Sequence, residues 1–414
     1  MKYPGGLRLA AMVILALAVM KQGGAVRAAG DPVEQANGPY RVLAPIESGN
    51  LLIFPVVRDS GKTPGEIPFI TLDEGFRSGE VEVTEAGNVR GLVRPRGGTP
   101  FDSRAPHPTP PVYENRGDQV NTLVLVNHSK RPLLMLAGEI VTGGKQDRVI
   151  AKDRIVPPDA DPIDLSVFCI EPGRWTGDSQ MFGAAGKAPA NGFMVQPTVR
   201  EKAMVAKDQQ QVWDSVHGAI TEMAVVTAAV PSSSEMVTVE NGALTSPGGG
   251  IGTTSYAKAM QNSAVAEKVD EAAAPMMKAR EQVLEQLRQE HAVGVVVAVR
   301  GEIVWADLFA STDLLSRYWV KLVRSYAAES LTGEERHGAP TLAEAQHFLD
   351  APLSGTESTE GEVGVYRYRE LRNGGTETFV LESLLPGAGY DVHISKMKLK
   401  GDEHRPPRPE PLFR

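Results

Sequence analysis

Apolar residues recur along this chain in two rhythms. Short runs that alternate, or stay apolar between glycine and proline punctuation, mark strands; returns at every third or fourth position mark helices. Strand text falls at Asn50 to Val57, Ile67 to Leu72, Val81 to Glu85, Thr122 to Asn127, Leu133 to Ala137, Arg148 to Val156 and Leu165 to Ile170. Asp73 to Arg77 fits one helical turn. Helical spacing predicts a helix over Ala206 to Met223, with Val212, Trp213, Val216, Ala219 and Ile220 on its apolar face. More helix is expected from Tyr256 to His291, where Pro275 falls to interrupt it or to start a second one.

The second half repeats both rhythms. Val293 to Val299 reads as a buried strand, turned by Arg300-Gly301 into Ile303 to Ala306 as a hairpin. Ser311 or Thr312 caps a helix through Ala328 whose core face is Leu315, Tyr318, Trp319, Leu322, Val323 and Tyr326. A short helix at Thr341 to Leu349 follows. Then come a hairpin of Val363 to Leu371 with Thr378 to Leu384, and a strand at Asp391 to Met397. Strands come in runs and helices in a block. The fold class is therefore α+β, a largely antiparallel β-sheet core with a central block of helices, rather than a doubly wound sheet. Long Gly- and Pro-rich loops are expected at Arg94 to Asp118 and Gly177 to Pro197, and the low apolar content of 231–254 marks a mobile insert.

The N-terminus reads as an address. Lys2 and Arg8 precede the apolar run Leu9 to Met20, and Val26-Arg27-Ala28 offers a small-residue cleavage site. That run is shorter than the roughly 20 apolar residues needed to span a bilayer. The expected organisation is a signal peptide at 1–28, a flexible N-terminus at 29–40, one α+β domain at 41–397 and a disordered tail at 398–414. The expected destination is periplasmic or extracellular, with no stable membrane insertion once the leader is removed.

Charge narrows the partners. The chain carries 43 basic and 51 acidic residues, and the leader holds four of the bases and no acid. The remaining 39 against 51 leave a balance of −12, which repels polyphosphate backbones, so no nucleic-acid partner is expected. Cys169 stands alone and cannot form an internal disulfide; its alternating apolar neighbours predict a buried, inert thiol.

The eight histidines are scattered, without HExxH spacing or a cysteine cluster, so neither a metal nor a cofactor is expected. No GxSxG elbow is present. Gly138 to Gln146 resembles a phosphate loop but fails on spacing. From Gly138 the lysine position holds Gly144, and Gln146 replaces the hydroxyl residue. What remains is a polar cluster in the stretch Leu133 to Trp175. Lys145, Arg148 and Arg174 can grip an anionic small molecule, with Gln146, Asp147 and the flat face of Trp175 as further ligand contacts. Glu139 and Glu171 are the candidate acid–base residues. Against this stands a structural alternative, in which the same charges are ion pairs that hold loops together.

Three motifs carry a resemblance: Gly138-Glu139; Gly143-Gly144-Lys145-Gln146-Asp147-Arg148; and Cys169-Ile170-Glu171-Pro172-Gly173-Arg174-Trp175. Together they resemble the ARG and rhodanese-phosphatase superfamily associated protein domain family, in which the last motif tends to read Cys-Val-Glu-x-Gly-Arg-Trp. Further matches run from Asn50-Leu51 to Tyr390-Asp391-Val392-His393. The resemblance implies one integrated α+β domain. The family's name points to neighbours that handle ADP-ribose and phosphate esters. Two functions stay open: an exported binding or scaffold module, or an enzyme acting on a phosphorylated or ADP-ribose-like small molecule.

Overall fold

Every residue of strand Ala292–Val299 is buried. Val295, Val297 and Val299 enter one apolar cluster while Val296 and Ala298 enter another. A strand whose alternate side chains are both buried lies inside a sheet covered on two faces. The computed structural model describes residues 39–58, 68–88, 92–93, 113–114, 121–173, 181–184, 192–228, 238–240, 243–245, 251–278, 292–333, 338–351, 355–386 and 389–399. The leader, most of Arg94 to Asp118 and the tail from 400 lie outside these residues.

Ala292–Val299 belongs to a nine-stranded antiparallel sheet. In order across it stand Tyr40–Val42, Leu51–Arg58, Ala292–Val299, Glu302–Phe309, Tyr390–Lys398, Thr376–Ser383, Tyr366–Asn373 and Thr356–Glu362, with Ile46–Ser48 also paired to Leu51–Arg58. One face packs on helices Thr312–Leu331 and Ser263–Lys278 through Leu315, Tyr318, Trp319, Leu322, Val265 and Val269. The other is covered by helix Leu342–Asp350 through Leu342, Ala345, Phe348 and Leu349.

A six-stranded sheet runs Phe182–Ala184, Ile140–Gly143, Arg148–Ile150, Ala160–Cys169, Thr122–Asn127 and Val81–Glu85. Ile140, Val149 and Phe168 join the helical cluster, whereas Val141, Ile150 and Val167 pack into a core of the sheet's own. Both sheets thus share apolar contacts with one block of helices, which is an α+β arrangement. A small third sheet joins Leu133–Met135 antiparallel to Arg154–Val156 and parallel to Ile70–Thr71. Among the described residues, no helix is long and apolar enough to cross a membrane.

Several boundaries differ from expectation for local reasons. The helical text after Tyr256 breaks at Asn262, not at Pro275, giving Tyr256–Gln261 and Ser263–Lys278. Asn262 is extended (φ −58°, ψ 131°), and its Oδ1 accepts from the Ala264 N–H at 3.0 Å, so it ends one helix and caps the next. Pro275 sits inside the second helix, and 279–291 lie outside the described residues. The helix expected from Ala206 begins at Gln209, because Lys207 turns left-handed (φ 51°) and the Asp208 carboxylate accepts from the Gln211 N–H. Trp213 on that helix is half-buried rather than a core residue. Within 231–254, Thr238–Glu240 and Ala243–Thr245 pair antiparallel, and 231–237, 241–242 and 246–250 lie outside the described residues.

Trp319 is 1% exposed in the main cluster. Trp319→Ala is expected to cost about 3–5 kcal/mol in chemical denaturation. A near-neutral change would contradict the assignment of that helix face to the core.

Candidate functional site

The Gly138–Arg148 segment is shaped by backbone conformations that favour glycine. Gly138, Gly143 and Gly144 all have positive φ (93°, 116° and 51°). A Cβ on Gly144 would lie 2.1 Å from the Phe182 ring, and one on Gly138 would lie 2.9 Å from Cδ of Arg200. The glycines therefore serve close approach, and the chain between them is a tight hairpin from Ile140–Gly143 into Arg148–Ile150.

This hairpin carries one motif to the other. Arg148 stands opposite Cys169 on the neighbouring strand and Val149 opposite Phe168, so Gln146–Arg148 lies beside Glu171. The Asp147 N–H donates to Glu171 Oε2 at 3.1 Å, and Gln146 Nε2 donates to the Glu171 carbonyl at 3.0 Å. Asp147 Oδ1 accepts from the Gly143 N–H at 3.2 Å, and its Oδ2 accepts from Ser255 Oγ at 2.7 Å. Glu171 also pairs with Lys258 at 3.2 Å. Arg148, fully buried, faces Glu85 at 4.0 Å, and Glu85 Oε1 accepts from the Lys145 N–H at 2.8 Å. The same hydroxyl of Ser255 accepts from the Lys258 N–H, which caps helix Tyr256–Gln261. One network thus ties both motifs to a helix start.

Glu139 goes elsewhere. It is fully buried; its Oε2 accepts from the Leu136 N–H at 2.7 Å, and its Oε1 meets Lys321 Nζ at 2.5 Å. Asp73 approaches the same ammonium at 2.7 Å. Burial opposes charge on Lys321, but the carboxylates of Asp73 and Glu139 raise its pKa. One ammonium does not balance two carboxylates. Burial accordingly raises the pKa of Glu139, against the pull of Lys321.

The structure therefore brings together Gln146, Asp147, Arg148 and Glu171, and separates Glu139 from them. Lys145 is half-buried at the hairpin's end. Arg174 and Trp175 lie outside the described residues. Cys169 is buried, and burial raises its pKa above the ordinary thiol value. Among the described residues, no group of three His, Cys, Asp or Glu side chains is arranged to hold a metal ion.

Sequence reasoning missed a second network, centred on Asp307. Its carboxylate accepts from Ser395 Oγ at 2.6 Å, from Arg200 Nη1 at 2.9 Å and from the Tyr326 hydroxyl. His393 Nε2 lies 3.1 Å from Asp307 Oδ1, while its Nδ1 is 2.6 Å from Asp153. Asp153 in turn accepts from the Ala137 N–H at 2.7 Å. Burial would raise the Asp307 pKa, but the Arg200 guanidinium and His393 hold it well below the usual carboxylate range. Burial likewise opposes charge on His393, yet Asp153 and Asp307 push its pKa up to about 9. A signal was present in the sequence. Asp307 falls between Trp305 and Phe309 on the inward alternation of its strand, and His393 falls between Val392 and Ile394.

A family model, the ARG and Rhodanese-Phosphatase-superfamily-associated Protein domain, matches residues 39–397. No curated protein matches the chain, and no solved structure does.

The Asp307 network sets a pH window. His393, raised from 6.5, adds stability that is complete below about pH 6.5 and lost as pH rises through about 9. Asp307, lowered from 3.8, adds stability that is present above that value and lost in acid. Denaturant titrations should show wild-type stability declining by about 3 kcal/mol between pH 6.5 and 9.5 on account of His393. His393→Asn should be less stable at pH 6.5 and should lack that decline. A variant that retained the full alkaline decline would contradict the assignment.

Proposed function

We propose that this chain, which belongs to the ARG and Rhodanese-Phosphatase-superfamily-associated Protein domain family, is a binding or scaffold module. In this reading its two polar motifs are structural ties. One observation carries it: Gln146, Asp147, Arg148 and Glu171 are each no more than 5% exposed, Gln146, Asp147 and Glu171 hydrogen-bond to one another and to Ser255 and Lys258, and Arg148 faces Glu85 at 4.0 Å. An anion site needs donors turned towards a space that a ligand can enter. Here an anion placed among the carboxylates of Glu85, Asp147 and Glu171 would meet like charge. Glu139, the other acid–base candidate, is spent on Lys321 and a backbone N–H. The Lys2 to Ala28 text supports an exported module.

Thermal shift measurements separate the module from an enzyme that handles ADP-ribose-like or phosphorylated compounds. Arg148→Ala leaves buried Glu85 without its facing cation, only the Lys145 N–H still donating to it, and should cost about 3–5 kcal/mol. ADP-ribose, nucleotides and sugar phosphates should leave the melting temperature of the unaltered chain unchanged. A dose-dependent rise with any of them, abolished by Lys145→Ala, would overturn the proposal in favour of the enzyme.

A further inference from the structure

Lys321 and Lys396 are equally buried, each 3% exposed, yet meet opposite surroundings. Burial opposes charge on Lys321, but Asp73 and Glu139 flank its ammonium and raise its pKa. Lys396, on strand Tyr390–Lys398, has no carboxylate in contact with it among the described residues. Its Nζ donates to the Ala351 carbonyl at 2.8 Å and to that of Leu349 at 3.5 Å, and lies 5.4 Å from the centre of the Phe348 ring. All three groups belong to the C-terminal end of helix Leu342–Asp350. Carbonyls at such an end favour a cation, but they do not replace water and a counter-charge. Burial therefore pushes Lys396 down to about 8, and the charge of Asp350 offsets this only in part.

The other charged groups on the elements packed against Lys396 are turned away from it. Its cross-strand neighbours are Ala306 and Thr378, and by alternation Asp307 and Glu377 point to the opposite face of the sheet. On the helix, Glu344 and His347 are exposed, as is Lys398 two positions along the strand. The helix itself depends on its docking, since nine residues are marginal as an isolated helix. Ala345 is fully buried against the nine-stranded sheet, but Leu342, Phe348 and Leu349 are covered only in part. Gln346 ties the helix to the edge strand, accepting from the Val42 N–H at 2.8 Å and donating to the Tyr40 carbonyl at 3.1 Å. Lys396 ties its C-terminal end.

We propose that helix Leu342–Asp350 is a pH-sensitive strap, docked more firmly when Lys396 gives up its proton and loosened when Lys396 keeps it. The sign follows from linkage. A detached helix returns Lys396 to water and to its ordinary value of 10.5, so the detached state holds the proton more tightly. Between about 8 and 10.5, rising pH favours docking and falling pH opposes it. Release uncovers apolar sheet surface of the cluster that includes Phe54, Val296 and Ala306.

Amide hydrogen exchange of the full chain, corrected for the intrinsic rate at each pH, tests this. The N–H groups of Ala345 and Ala351 bond within the helix and its cap, and their protection should rise about tenfold between pH 7 and 9. Over the same range the N–H groups of Ala292–Val299 should lose protection as His393 gives up its proton, so the rise belongs to local release of the helix. Lys396→Met carries no charge, and Lys396→Arg keeps its charge throughout; in either variant the rise should vanish. Gln346→Ala should lower protection at every pH and keep the rise. His347→Asn, at an exposed position, should also keep it. Helix protection that stayed level or fell between pH 7 and 9, or a rise that survived both Lys396 variants, would overturn the proposal.

Discussion

A fully buried carboxylate is tolerable only where the protein supplies the partners that water no longer can. Asp307 is that constraint here. Its oxygens gather Arg200 from helix Pro197–Glu201, Tyr326 from helix Thr312–Leu331, and His393 and Ser395 from strand Tyr390–Lys398. Through His393 the network reaches Asp153, and through Asp153 the Ala137 N–H, one residue before the first motif glycine. Arg200 is also what fills the space against Gly138. The nine-stranded sheet, the helical block and the motif-bearing segment are thereby fixed to one another by a single set of charges.

The motif network repeats this logic at the edge of the second sheet. Asp147 and Glu171 each accept from a backbone N–H of the turns they belong to or face, so carboxylates replace the ladder hydrogen bonds that tight glycine turns forgo. This explains why two short runs of charged residues occur within otherwise apolar strand text.

Much of the fold was legible because it is written in local periodicity. Ala292–Val299 and its hairpin partner, the Thr312–Leu331 helix with its Ser311 cap, and the Tyr366–Asn373 hairpin all follow from alternation, capping and turn chemistry within a few residues. Asn262 was less visible, because one capping asparagine competes with a more conspicuous proline. The pairing of the two polar motifs was legible as a prospect, since they flank neighbouring strands. The roles of their side chains were not, because burial is decided by partners far away in sequence. His393 and Asp153 are 240 positions apart, and Lys321 lies 182 from Glu139. Periodicity places a residue on a face but does not say which distant charge waits there.

The central claim is that the motif carboxylates are built-in ties of a rigid frame, and amide hydrogen exchange tests it most directly. The N–H groups of Gly143, Lys145 and Asp147 donate to Asp147, Glu85 and Glu171. Without any ligand they should exchange as slowly as the central strand Ala292–Val299. Rapid exchange at all three, slowed only when a phosphorylated or ADP-ribose-like compound is added, would contradict it.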